Sequence, residues 1–134
     1  MIRLRVRDVI PRSRCYASDF KCSTPGEDEA AIFDELAKLA RIDARVIPQP
    51  HSDTFHAGFV TLAVELAGRL ELLALRHAKY QVPPTAMLDL LNRELERTDD
   101  EHRLVTCRDD LTEAVVLATS AELMELESAG LVIA

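Results

Sequence analysis

Five arginines near the start of the chain are the residues best suited to bind a charged ligand. They are Arg3, Arg5, Arg7, Arg12 and Arg14. A guanidinium group has planar donors that can bind two oxygens of a phosphate or carboxylate at once. In a strand, the first three arginines would stand on one face. The row predicts an anion-binding site, or else a charged strand whose counter-charges come from the same molecule.

A second candidate site combines two imidazoles and a carboxylate within a short stretch, at His51, Asp53 and His56. These side chains are ligands that divalent metals accept. On a helix, His51 and His56 would diverge by about 140°, so they converge only if His51 lies in the loop before the helix. The metal site is therefore one hypothesis. The other is a loop histidine followed by a polar first helical turn.

Cys15 is a candidate reactive thiol. Nearby basic residues would stabilise its thiolate; these are Arg12, Arg14 and Lys21. A catalytic partner would be a histidine elsewhere in the chain, and the sequence does not select one. The three cysteines form no Cys-x-x-Cys pair, which indicates reduced thiols in the cytoplasm, with a Cys15–Cys22 bridge as the alternative.

The charge distribution restricts the class of partner. The net charge is −7, yet residues 1–22 contain six basic and two acidic residues, so the rest of the chain carries −11. This acidic body disfavours nucleic acid and anionic membranes. The N-terminus lacks the apolar run of a signal peptide, and charges interrupt the most apolar segment before it could span a membrane. We expect a cytoplasmic protein that binds neither membrane nor nucleic acid and needs no cofactor.

The apolar periodicity predicts the elements that would position these residues. Alternation over residues 2–7 predicts a strand. Residues 24–27 have the pattern of a helix start, and that helix should end near residue 42. A short strand is predicted at 44–47. From residue 54 to about 81 the apolar positions keep helical spacing, which predicts a long central helix with a kink near Gly68.

After a Pro-Pro pair, residues 85–97 predict another helix, packed on the long one as a helical hairpin. The tail permits two interpretations. In the first, strands at 103–107 and 113–118 precede a helix that starts at Thr119, with Glu122 as its capping-box partner, and a last strand lies at 131–133. In the second, residues 109–129 are one helix. The β-branched pair at 115–116 and the capping signal favour the first.

These elements predict one domain over residues 1–134 of the α+β class. It would have a small, largely antiparallel sheet that includes the N-terminal strand and is packed by three or four helices. The alternative is a mainly α-helical bundle.

The four glycines are dispersed and form no phosphate-binding loop, and no catalytic set stands out. This favours a small acidic, non-enzymatic protein-binding module, such as an adaptor, a chaperone-like binder or an inhibitor, whose partner could be basic. The alternative is a small enzyme or ligand-binding protein that holds an anionic small molecule at the arginine row. A homodimer formed through Ala63, Ala67 and Ala74 of the long helix is a further hypothesis.

Overall fold

Two antiparallel sheets and three helices make up the part of the chain that the computed structural model describes. The described residues are 10–11, 14–17, 27–48, 55–56, 58–76, 85–108 and 113–133. The helices are α1 (Glu27–Leu39), α2 (Thr85–Arg97) and α3 (Ser120–Ser128). The strands are β1 (Cys15–Ala17), β2 (Ala44–Val46), β3 (Phe55–His56), β4 (Phe59–Leu66), β5 (Arg69–Arg76), β6 (Arg103–Arg108), β7 (Glu113–Ala118) and β8 (Val132–Ile133).

The segment predicted as a long central helix is instead the hairpin of β4 and β5. Leu66 pairs with Arg69, and the two residues between them, Ala67 and Gly68, have φ angles of 50° and 80°. Positive φ at both central residues is typical of the type I′ turn, whose twist suits a two-residue hairpin. The helix prediction was wrong because apolar residues on both faces of the hairpin imitate helical spacing.

In the first sheet β4 lies at the centre. β5 pairs with the whole of β4 along one edge, whereas β2 and β3 share the other edge, opposite the two ends of β4. The strand predicted at 44–47 is confirmed as β2. Among the described residues, β5 has no strand on its far side and is an edge strand of this sheet.

The second sheet has the strand order β1-β7-β6-β8 and is built mostly from the tail. The tail follows the first interpretation, and the single helix over 109–129 is wrong. Thr119 caps α3, and a capping box with Glu122 is present. Asn92 of α2 lies against the edge of β6, where its side-chain amide donates to the Leu104 carbonyl at 2.9 Å and accepts from the Leu104 amide at 2.7 Å.

The apolar faces of α1 and α2 share one core with the inward side of the β4–β5 hairpin and one face of the second sheet. Its largest fully buried members are Ile32, Phe33, Leu36, Leu66, Met87, Leu91 and Leu104. α3 covers the opposite face of the second sheet, where Leu126 belongs to a smaller buried cluster with Ile10, Cys107 and Val116. The second sheet therefore lies between two apolar layers.

The α+β class is confirmed, and the helical bundle is wrong. The strands divide between two sheets, and three helices pack on them. α2 has the predicted bounds, whereas α1 ends three residues before residue 42 and Arg41 follows with a φ of 57°. The strand predicted at 2–7 and the helix cap at 24–26 lie outside the described residues. The homodimer hypothesis loses its basis, because its three alanines lie on a hairpin.

Candidate functional site

The outer face of the β4–β5 hairpin presents large apolar side chains to solvent. Leu70 is 65% exposed, Leu72 is 67% exposed and Phe59 is 53% exposed. Leu70, Leu72 and Ala74 lie on one face of β5 because they are two residues apart. We call these three residues together with Phe59 the apolar strip. Single exposed leucines are ordinary on protein surfaces, whereas a contiguous strip is typical of an interaction surface.

The residues of β5 in the apolar strip also provide the outward backbone groups at the edge of this strand. In a two-residue hairpin the flanking pair, Leu66 and Arg69, exchanges hydrogen bonds, and every second pair after it does the same. The backbone groups of Leu70, Leu72 and Ala74 therefore point away from β4. A hydrogen bond on the far side of β4 supports this alternation. The Ala63 carbonyl accepts from the Ile47 amide at 2.8 Å, so the backbone of Ala63 points away from β5, and that of Leu72, its partner in β5, points away from β4.

Charged residues border the apolar strip. Arg69 and Arg76 begin and end β5. On β4, Glu65 lies opposite Leu70 and accepts a 3.0 Å hydrogen bond from Arg45 of β2. Glu65 therefore does not pair with Arg69 as it would in a helix at i, i+4.

Glu94 of α2 is only 4% exposed and holds two arginines. Arg69 donates to its Oε2 at 2.6 Å, and Arg97 donates through Nε at 3.0 Å. The hydrogen bonds from Arg97, followed by the charges of both arginines, hold the pKa of Glu94 below its ordinary value against the opposing effect of burial. This arrangement fixes the start of β5 onto α2.

Arg14 is the one member of the predicted arginine row that lies within the described residues. It forms two hydrogen bonds with Glu122 of α3, at 2.8 and 2.6 Å, and a third with the Leu117 carbonyl. The hydrogen bond to Glu122 raises the pKa of Arg14, and Arg14 lowers the pKa of Glu122 to about 2. Arg14 thus has its counter-charge in the same molecule, whereas Arg3, Arg5, Arg7 and Arg12 lie outside the described residues.

The predicted metal site falls largely outside the described residues. His51 and Asp53 are not among them, and His56 is placed by its backbone in β3. Where side chains are described, no three histidine, cysteine, aspartate or glutamate residues come together in a way that could hold a metal ion.

Cys15 is half-buried in β1, and its thiol donates to the backbone carbonyls of Ile10 and Pro11 at 3.7 and 3.4 Å. Cys107 is fully buried, and burial raises the pKa of its thiol to about 11, with a smaller contribution from Cys15. Cys107 is therefore protonated at neutral pH. Cys22 lies outside the described residues.

A cavity of about 460 Å³ opens where the C-terminal ends of α1 and α2 meet. Its polar lining includes Arg14, Arg41, Arg97, Asp100 and His102. His102 contacts Asp100 through Nδ1 at 2.9 Å, while its backbone amide donates to the same oxygen at 2.8 Å. These bonds lower the pKa of Asp100, with the backbone amide as the main cause.

A smaller exposed apolar pair lies at the other end of the chain. Met124 of α3 is 67% exposed and Val132 of β8 is 61% exposed. Glu125 and Glu127 of α3 are also exposed. Because acidic side chains flank Met124, this surface differs from the apolar strip, where the outward side chains of 70, 72 and 74 are uncharged.

Sequence reasoning missed the apolar strip, although a signal was present. Residues 59–66 and 69–76 are two apolar-rich segments of equal length, and an Ala-Gly pair separates them at the spacing of a two-residue hairpin. None of the described helices is long and apolar enough to cross a membrane. Compared with protein-family models, curated proteins and solved structures, the chain matches none.

Proposed function

We propose that this protein is a small acidic, non-enzymatic protein-binding module that acts through the apolar strip of the β4–β5 hairpin. Such a module would serve as an adaptor, a chaperone-like binder or an inhibitor. The observation that carries the proposal is the exposure of Leu70 and Leu72 side by side on one strand face. Leaving two leucines in water costs free energy that a partner would recover by covering them.

The charge of the whole chain supports a macromolecular partner with a basic surface. A net charge of −7 on 134 residues produces a long-range field. Opposite fields accelerate encounter, whereas the apolar contact determines how long the complex lasts. The net charge and the apolar strip therefore have separate effects, because charged side chains border the strip only at its ends.

An anion-binding function at the arginine row has less support. Arg14 is occupied by Glu122, and Arg97 of the neighbouring cavity is occupied by Glu94. An anionic ligand at Arg14 or Arg97 would have to displace these carboxylates, both of which have lowered pKa values and stay charged at neutral pH. The bonds of Asp100 to His102 also have a local structural role, because they close a turn between α2 and β6.

The proposal is tested by placing a photo-crosslinking amino acid at Leu72 in cells that produce the protein naturally. Met124 is the matched control, because its side chain is equally exposed. We expect a discrete crosslinked partner from position 72 and none from position 124. Leu72→Lys should weaken the purified complex by about tenfold or more, with a melting temperature within about 2 °C of the parent.

Two results would contradict this function. One is the absence of any crosslinked protein from position 72. The other is a partner that binds Leu72→Lys as tightly as the parent protein, since a lysine there cannot be buried against an apolar surface without a large cost.

A further inference from the structure

We infer that β5 binds an extended segment of its partner as an additional antiparallel strand, so that the first sheet grows by one strand in the complex. The inference rests on the proposed function and specifies how the partner is held. The partner segment would have branched aliphatic side chains at alternate positions, facing Leu70, Leu72 and Ala74.

The first step is that the same residues of β5 have both exposed side chains and backbone groups that no described strand pairs with. Leu70, Leu72 and Ala74 expose their side chains on the outer face of the hairpin and direct their backbone groups away from β4. An added strand would satisfy those backbone donors and acceptors while its alternate side chains cover the leucines. A ligand that contacts the face alone would leave the edge unpaired.

The second step is that β5 is unusually long and regular for an edge strand. Natural edges are shortened, bulged, or given proline or inward charges, because an open edge pairs with other chains. Within the part of the chain that the structure describes, the other outer strands of the two sheets are two or three residues long; they are β1, β2, β3 and β8. β5 is eight residues long, contains no proline, and pairs with β4 in regular register from end to end. Its inward charges are confined to its first half, at Glu71 and at Arg69, which Glu94 binds.

The third step concerns the occupant. A second copy of this chain is disfavoured at this edge, because each copy has a net charge of −7 and the two would repel. A strand from another protein need not carry this negative charge, and backbone hydrogen bonds supply much of its affinity.

The test uses a dye-labelled synthetic peptide of ten residues that alternates valine with threonine and ends in lysines for solubility. Its binding to the full chain is followed by fluorescence anisotropy. Two matched peptides are the controls: one has the same composition with the alternation broken, and the other is N-methylated at every second residue on the edge facing β5. We expect each control to bind at least about tenfold more weakly than the alternating peptide.

Two variants of the protein separate backbone pairing from side-chain contact. Ala74→Pro removes an outward N–H and keeps both leucines, and proline is tolerated on the free side of an edge strand. Ala74→Thr is its control, because threonine keeps the N–H. We expect the proline variant alone to lose about tenfold in peptide affinity, while both keep the parent's cooperative unfolding.

The outcomes distinguish this inference from the proposed function. If the alternating peptide does not bind, or if the N-methylated peptide binds equally well, strand addition is wrong. Crosslinking from Leu72 to a partner in the same experiments would then leave the apolar strip as a face-only binding surface. If the peptide binds but no partner crosslinks from Leu72 in cells, the edge can accept a strand and the proposed function fails.

Discussion

Two glutamates connect distant parts of the chain by holding arginines. Glu94 of α2 binds Arg69 at the start of β5, and Glu122 of α3 binds Arg14 beside β1. Both carboxylates have lowered pKa values. At the scale of single residues, these ion pairs join the start of β5 to α2 and Arg14 to α3.

We expect Glu94→Gln to lower the free energy of unfolding by about 1–3 kcal/mol, because a buried amide cannot satisfy two guanidinium groups as a carboxylate does. Glu96→Gln is the matched control, since Glu96 is exposed on the same helix. Urea unfolding would measure both. Equal stability of the two variants would show that the two arginines find adequate partners in water.

The pair between Arg14 and Glu122 gives the stability a specific pH dependence. The pKa of Glu122 is about 2 in the folded protein, below its ordinary value of 4.5. Unfolding therefore takes up a proton in this range, so the stabilisation is complete above pH 4.5 and is lost as the pH falls toward 2. The melting temperature should fall across this window.

Glu122→Gln should remove part of that pH dependence and lower stability at neutral pH by about 1–3 kcal/mol. Glu125→Gln, at an exposed position of the same helix, should leave the pH profile unchanged. Melting curves from pH 7 to pH 2 for the three proteins provide the comparison. An identical acid-induced decrease in all three would mean that other carboxylates cause it.

At the scale of elements, the residue pattern correctly predicted helices and strands that have one apolar face or a clear capping signal. It failed for the hairpin, where both faces are apolar. The helix at 85–97 has one apolar face, and the strands, capped helix and last strand of the tail have distinct signals of their own. In the hairpin, Leu70 and Leu72 occupy positions where a one-sided strand would have polar residues. Those same leucines caused the helix prediction and form the candidate site.

The sequence contains a signal for the hairpin, but the exposure of its leucines was beyond prediction for a physical reason. Whether a leucine is covered depends on which elements pack over it, and this is a property of the tertiary structure. The pairing of Arg14 with Glu122 is similar, because 107 residues separate them along the chain and only the placement of α3 on the second sheet brings them together.

The turn between β4 and β5 allows a test of the hairpin itself. Ala67 has a φ of 50°, a conformation that costs a residue with a Cβ about 1 kcal/mol, and asparagine tolerates it better. We expect Ala67→Asn to stabilise the protein by up to about 1 kcal/mol in urea unfolding. Ala74→Asn, in the extended part of the same hairpin, should destabilise it. A helix at this position would respond to the two changes alike.

At the scale of the whole molecule, the acidic charge and the apolar strip should have separate kinetic effects. We expect the association rate with the crosslinked partner to fall by about tenfold between low and high salt, because screening weakens the long-range field. The dissociation rate should change by less than about twofold, since the apolar contact is not screened. Stopped-flow measurements at several salt concentrations would show this, and an association rate independent of salt would argue against a basic partner.

The contact between Asn92 and Leu104 bears on how many partner strands the protein can bind. The asparagine side chain occupies the N–H and C=O groups of Leu104, which a neighbouring strand would otherwise use, so this position of β6 is already filled. Of the strands that the described residues provide, β5 is then the one long edge still open. With one such edge among the described strands, the protein ends a growing sheet instead of extending it. We therefore expect one partner molecule per protein molecule in its complexes. If the partner strand can polymerise by itself, binding to β5 should stop the polymer from growing at that end.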